Sequence, residues 1–229
     1  MIDWGDGDVI TTADEKAAEI RLKDCYESLT EKVRADRAVM CLSCPSAEGW
    51  RKKVLPTYKG NRATIVPPIL REHLKQYTQE NYKSYLRPTL EGDDCLGILM
   101  THPKIITGRK ICCSSDKDMK TIPGEHYNFK SGKRFVISQD EADYWHMYQT
   151  LTGDPTDGYR GCPRIGAVYA QGVLDGLKPE DYWWSSLGEY RKLPPRQRDM
   201  VNTGVILKYL DRNRNRALGK FLKLHRSNE

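Results

Sequence analysis

The sequence predicts an α/β protein in which a mostly parallel sheet is flanked by helices and followed by a helical C-terminal region. Three observations carry that reading. Short apolar runs alternate with helix-patterned stretches to about residue 150. A Gly- and Pro-rich segment from Gly153 to Gly166 breaks the alternation, and beyond it the pattern is helical. A chain of 229 residues can bury a substantial core, and the expected division is an α/β core over residues 1–150 and a helical region over 151–229.

Thr12 with Glu15 three positions on has the form of a capping box, which predicts a helix from about Ala13 to Arg34. Ala38 to Leu42 is a short apolar run of strand type. Pro67 and Pro68 suit the start of a helix reaching toward Tyr82, and Tyr85 to Leu86 reads as extended. Glu91 to Thr101 is helical in pattern, and Ile111 to Ser114 is a buried-type strand. A further extended stretch is expected near Arg134 to Ile137, then a helix from Ser138 to Leu151. Trp183 and Trp184 lie inside a helical pattern and read as packing residues.

Composition excludes several classes of function. No apolar run approaches the roughly 18 residues of a membrane span, and the N-terminus has no signal-peptide pattern, so a cytoplasmic protein without a membrane partner is expected. Seven cysteines, several of them in apolar runs, point to reduced thiols. Cys41 and Cys44 have metal-ligand spacing but no second pair follows, and the adjacent Cys112 and Cys113 point to opposite faces of a strand. The five histidines are scattered without zinc-like spacing, and no glycine-rich phosphate loop is present, so neither zinc nor ATP is expected.

The net charge of +6 is unevenly spread. Arg191 to Arg226 holds eleven Lys or Arg against Asp199 and Asp211, and Trp50 to Arg62 holds five basic residues and no acidic one. Basic stretches interleaved with Trp50, Tyr58, Tyr190 and Tyr209 suit a nucleic-acid backbone, although solvated basic helices have the same composition.

Acidic residues form three groups: Glu91, Asp93 and Asp94 at a helix start, Asp116 and Asp118 just after a strand, and Asp154 and Asp157 in the Gly- and Pro-rich loop. Ligands of open α/β sheets gather at the strands' carboxyl ends. Two carboxylates about 4 Å apart repel by roughly 4 kcal/mol at an effective dielectric constant near 20, so a cluster calls for protons or cations. Hard divalent ions with oxygen ligands answer that need and can drive phosphodiester hydrolysis. Singly, each carboxylate is better explained as a helix cap or turn residue. The pattern therefore suggests a metal-dependent phosphoryl-transfer site without proving convergence.

The order Tyr58-Lys59-Gly60-Asn61-Arg62, Glu91-Gly92-Asp93-Asp94, Ser115-Asp116-Lys117-Asp118 and Gly153-Asp154-Pro155-Thr156-Asp157-Gly158 resembles the flap-endonuclease (PIN-like) superfamily, especially podovirus-type phage 5′→3′ exonucleases. The likeness spans about Ala38 to Leu174. It implies a Rossmann-like nuclease core followed by a helix-turn-helix-type DNA-binding region. The implied activity is Mg²⁺- or Mn²⁺-dependent hydrolysis at DNA 5′ ends, duplex or flapped, with two ions. Flap cleavage and removal of RNA primers from RNA–DNA hybrids are further activities of the same kind.

Carried over by position, the resemblance assigns Glu91, Asp93, Asp94, Asp116 and Asp118 to the first metal position or its support, and Asp154 and Asp157 to a second, more exposed one. Lys59 and Arg62 match the basic pair at the scissile phosphate, and Tyr58 the residue that stacks a base. Gly161, Arg164 and Gly166 fall in the loop that grips the DNA backbone. Many relatives have glycine where Arg164 stands, so a positive φ there would be strained.

Two departures weaken the implied site. Relatives have a strand before the first helix that delivers an aspartate, whereas Ile2 to Thr12 resembles the segment after that strand; Asp3, Asp6 and Asp8 are not assigned as ligands. We expect the strand to be encoded upstream of Met1. Where relatives often carry another aspartate, after the Ala38 to Leu42 run, this chain has Ser43 and Cys44. A catalytically weakened DNA-end-binding protein and a ribonuclease on the same fold therefore stay open as alternatives.

Overall fold

A computed structural model describes residues 2–3, 9–10 and 13–194. Of the basic C-terminal run only Arg191 and Lys192 fall among them, and Asp6, Asp8 and Thr12 lie outside. The chain forms two compact units, one of Met1–Leu42 with Ile65–Tyr85 and the other of Ser43–Thr64 with Leu86–Glu229.

In the first unit, β1 (Ile2–Asp3) pairs antiparallel with β2 (Val9–Ile10). Helix α1 (Glu15–Val33) starts two residues later than the Thr12 signal indicates, because Asp14 is its cap and accepts the Ala17 N–H at 3.0 Å. Strand β3 (Met40–Leu42) forms a two-stranded sheet with β4 (Ser84–Leu86). Helix α3 (Arg71–Asn81) packs on α1, with His73 Nε2 2.7 Å from Glu19 and the Tyr26 and Tyr82 rings 4.6 Å apart.

The second unit carries all the acidic groups. Its elements are α2 (Trp50–Val54), α4 (Gly92–Thr101), β5 (Ile111–Cys113), β6 (Gly124–Asn128), β7 (Lys133–Ile137), α5 (Gln139–Thr152), α6 (Ala167–Leu174) and α7 (Pro179–Arg191). The α/β class is present, with the strands gathered in short sheets. β5 and β6 run parallel in register Ile111 to Glu125, and β7 adds antiparallel to β6 because a hairpin turn through Gly132, φ 67°, joins them directly.

Strand β6 has no apolar run to announce it. His126 and Tyr127 are nonetheless buried, the imidazole within 2.8 Å of the Ile122 carbonyl and stacked 5.3 Å from the Phe135 ring. Helix α5 begins with a reciprocal cap, Ser138 Oγ accepting the Glu141 N–H while the Glu141 carboxylate accepts the Ser138 N–H.

Met147 and Leu151 of α5 share one core with Cys162, Ala170, Leu174, Tyr182 and Tyr190, and so tie α5 to α6 and α7. A second core joins Cys112, Met119 and Ile122. Trp184 is 63% exposed, so the packing role expected of it is not met. All seven cysteines are free, and among the described residues no helix is long and apolar enough to cross a membrane.

The loop after α5 is held by glycine at one decisive point. Gly161 has φ 67°, and a Cβ there would sit 2.3 Å from the Gly153 nitrogen and 2.5 Å from the Leu151 oxygen. Gly161 is therefore buried packing between two backbones, not a DNA contact as the resemblance implied. Replacing it with alanine combines a left-handed φ with a backbone clash, and should cost at least about 2 kcal/mol, read as a lowered denaturant midpoint. An unchanged midpoint would mean the loop opens freely.

Candidate active site

The segment 58–62 and the loop 154–158 dock on each other through their backbones. The Lys59 N–H donates to the Asp157 carbonyl at 3.0 Å, and Asn61 Nδ2 donates to the Pro155 carbonyl at 3.1 Å. Lys59 takes a left-handed conformation, φ 53°, which turns its side chain toward the start of α4. There its ammonium donates to Glu91 Oε1 at 2.8 Å and lies 3.9 Å from Asp157 Oδ1. Arg62 reaches the same Asp157 oxygen at 3.5 Å. The basic pair and two of the three acidic groups thus meet in one place.

Tyr58 joins them from beneath. Its ring is 4% exposed, flanked by the Arg51 guanidinium and the Lys59 ammonium, and its hydroxyl lies 2.9 Å from Glu91 Oε2 and 3.2 Å from Asp157 Oδ2. A buried ring cannot serve as a stacking platform for a base, so the role the resemblance gave Tyr58 is corrected to that of a bridge between carboxylates. Burial, opposed by Arg51 but reinforced by Glu91 and Asp157, holds the phenol far above its ordinary range, so it keeps its proton.

Glu91, Asp93 and Asp94 are adjacent in sequence and differ in environment. Glu91 caps α4, and although burial pushes its carboxyl up, Arg51, Lys59 and Tyr58 outweigh that and hold it below the ordinary carboxylate range. Asp94 is completely buried. Arg51 grips it with two hydrogen bonds, Nη1 to Oδ2 at 2.9 Å and Nη2 to Oδ1 at 2.8 Å, and Oδ2 also accepts from Trp50 Nε1 and the Glu91 N–H. Asp94 thus anchors Arg51, Trp50 and the Glu91 N–H at the start of α4. Arg51 and Trp50, read in the sequence only as part of a basic run, are its partners.

Asp93 has no such guanidinium grip. Burial, then the negative charges of Asp116 and Glu91, push its carboxyl up to about 6, with Lys59 and Arg51 only partly opposing. The negative charge of Asp116, at the end of β5, thus bears on Asp93 at the start of α4. Asp116 itself is exposed, and its Oδ1 accepts the Asp118 N–H at 2.8 Å.

Asp118 accepts from Gln149 Nε2 of α5, a partner absent from the sequence reading. Asp154, expected to be the more exposed position, is 1% exposed instead; its Oδ1 accepts the Thr156 N–H at 2.9 Å and its Oδ2 the Lys117 ammonium at 2.8 Å. Lys117 also lies 3.5 Å from Asp118 Oδ1. Where relatives often carry a further aspartate, Ser43 Oγ accepts the Gly92 N–H at 2.8 Å, giving a helix cap in place of a charge. Arg164 and Gly166 are exposed, Gly166 as the cap of α6, and Arg164 has φ 68°.

Among the described residues no three Asp, Glu, His or Cys side chains gather as a closed cage for an ion. The donors do fit a hydrated divalent cation. They are hard carboxylate oxygens, and a cation would favour the ionised form of Asp93, which burial first and then Asp116 and Glu91 oppose.

No protein-family model matches the chain. Over 166 residues it is 35% identical to the exodeoxyribonuclease of Enterobacteria phage T3, covering 70% of this chain and 54% of that protein. Over 152 residues it is 35% identical to the exonuclease of Escherichia phage T7, covering 64% and 50% respectively. The chain is similar in sequence to these phage exonucleases. It spans about half the length of each. A solved T5 5′-exonuclease with divalent zinc bound matches with a TM-score of 0.61 at 14% identity, over 86% of this chain and 82% of that one. A T5 flap endonuclease pseudo-enzyme–product complex with DNA and metal ions matches at 0.58 and 14%, over 87% and 82%. The fold is accordingly that of these T5 structures, α/β elements followed by helices.

Proposed function

We propose that this protein is a divalent-metal-dependent 5′→3′ exodeoxyribonuclease, acting on duplex or flapped DNA 5′ ends in the cytoplasm of a phage-infected cell. The single observation that carries the reading is the meeting of a basic pair with acidic groups drawn from distant parts of the chain. Lys59 touches Glu91 and Arg62 touches Asp157, while Asp93 and Asp116 face each other electrostatically beside them. The relatives' names and the T5 structures with metal and DNA point the same way.

In this reading Asp93 and Asp116 hold the first ion, with Glu91 in support, and Asp118, Asp154 and Asp157 serve a second. Mg²⁺ or Mn²⁺, when bound, supplies an activated water and charge for the leaving oxygen. The chain's own residues do the positioning. Lys59 and Arg62 turn from carboxylates to phosphate oxygens and stabilise the charge that grows there, Arg62 by its planar fork. Tyr58, which keeps its proton, holds Glu91 and Asp157 in place while the cations change partners. Arg164 and the exposed N–H groups at the start of α6 receive a backbone phosphate downstream, so DNA holding falls to the region after the Asp154–Asp157 loop. Removal of RNA primers from hybrids extends the same chemistry.

The test is release of nucleotides from 5′-labelled duplex, flapped and RNA–DNA hybrid substrates in Mg²⁺, with and without chelator. Lys59→Ala should lower the cleavage rate about 10²-fold with the fold intact. Arg164→Gly should weaken DNA binding yet stabilise the protein by ~0.5–1 kcal/mol, because it relieves a left-handed non-glycine residue. Loss of stability instead would mean Arg164 is held by protein contacts.

A second reading, a DNA-end-binding protein that cuts poorly, is favoured by the absence of a closed ligand cage among the described residues and by the pairing of Glu91, Asp154 and Asp157 with the protein's own cations. Retained DNA binding without cleavage at any Mg²⁺ or Mn²⁺ concentration would select it.

A further inference from the structure

We propose that Lys117 is a built-in counter-cation of the second acidic group, standing where a divalent ion would bind between Asp118 and Asp154 and competing with it. The inference rests on the metal-dependent reading above. One ammonium spans two carboxylates from different elements, 2.8 Å from Asp154 Oδ2 in the loop after α5 and 3.5 Å from Asp118 Oδ1 in the turn after β5. The Asp154 side chain is 2% exposed, and a buried carboxylate requires a compensating charge.

The Lys117 side chain itself is 65% exposed, so the compensating charge arrives from the solvent side on a flexible stem and can leave the same way. The carboxylates are held independently of it. Asp118 is fixed by Gln149 and Asp154 by the Thr156 N–H, so their oxygens stay oriented when the ammonium swings out. An ammonium donates hydrogen bonds to the oxygens whose lone pairs a metal ion would take, and both cations cannot use them at once. A divalent ion therefore enters the Lys117 position only by displacing the ammonium, and only at an ion concentration high enough to do so.

Mn²⁺ titration of the full chain, followed by electron paramagnetic resonance of the free ion, tests this without DNA or turnover. The wild-type chain should show a weak class of site. Removing a unit charge at contact distance from the site should tighten the weak class in Lys117→Met by about 10-fold or more. Lys117→Arg should keep it weak. Identical wild-type and Lys117→Met isotherms, with Mn²⁺ bound, overturn the inference and leave the nuclease reading standing. No Mn²⁺ bound by either protein, together with uncut DNA in Mg²⁺, overturns both.

Discussion

Asparagine at position 93 is expected to abolish Mg²⁺-dependent cleavage while making the metal-free protein more stable above pH 6. Both effects have one cause. The Asp93 carboxyl is pushed up to about 6 by burial and by Asp116 and Glu91, so in the absence of a cation its ionised form is unwelcome in the fold. Between the ordinary carboxylate pKa of about 4 and 6 the folded chain binds more protons than the unfolded one, and stability falls as pH rises through that window. The loss is complete above the folded-state value and absent below the unfolded one. Asparagine mimics the neutral acid and escapes the penalty. The full shift would correspond to roughly 3 kcal/mol, and screening of a half-buried group reduces this to about 1–2 kcal/mol.

The difference between wild type and Asp93→Asn in chelator should therefore open between pH 4 and 6 and stay constant above. Thermal melts at pH 4, 5, 6 and 7.5 check it. Divalent ions should close the gap by stabilising the wild type alone, since ligand binding to the folded state adds stability by mass action. A variant that is less stable than wild type at pH 7.5 without metal would show that the Asp93 charge is already balanced, and would remove the main reason for placing a cation there.

The contrast among neighbouring carboxylates explains how far the sequence could be read. The helices were legible because α1, α4 and α5 carry capping side chains and apolar periodicity, which are local signals. The strands β3 and β5 were legible as apolar runs. Strand β6, Gly-Glu-His-Tyr-Asn, was not, because its burial comes from neighbours that local composition does not reveal: Phe135 stacked on His126, and the Ile122 carbonyl. At the site, the three acidic groups were visible as groups, yet the division of labour within Glu91, Asp93 and Asp94 was not. Whether a carboxylate faces a guanidinium or another carboxylate depends on contacts some forty residues away in sequence, as Arg51 to Asp94 shows. Tyr58 misled for the same reason, since an aromatic in a basic run reads as an exposed platform until its burial is known. Arg164, with φ 68°, meets the condition under which the sequence led one to expect strain there.

Cutting the Arg51–Asp94 pair is expected to cost more stability than any other single change at the site. Arg51 is 6% exposed and Asp94 has no exposure, so Arg51→Met leaves a carboxylate in the interior with only the Trp50 and Glu91 N–H groups, among the partners described above, to solvate it. Breaking one side of such a pair typically costs about 3–5 kcal/mol, because the surviving charge is left uncompensated. Asp94→Asn strands Arg51 in turn, although Glu91 at 3.2 Å offers that guanidinium a second partner, so its cost should be the smaller of the two. The double variant Arg51→Met/Asp94→Leu should recover much of the loss, since two apolar groups bury no charge. Urea unfolding of the two single variants and the double variant measures all three. The decisive accompaniment is Mn²⁺ binding at a temperature where Asp94→Asn remains folded: affinity near that of wild type is expected if Asp94 anchors the start of α4 rather than holding an ion. A stable Asp94→Asn protein that has lost Mn²⁺ would instead return Asp94 to the metal, and would mean that Arg51 yields its grip when the ion arrives.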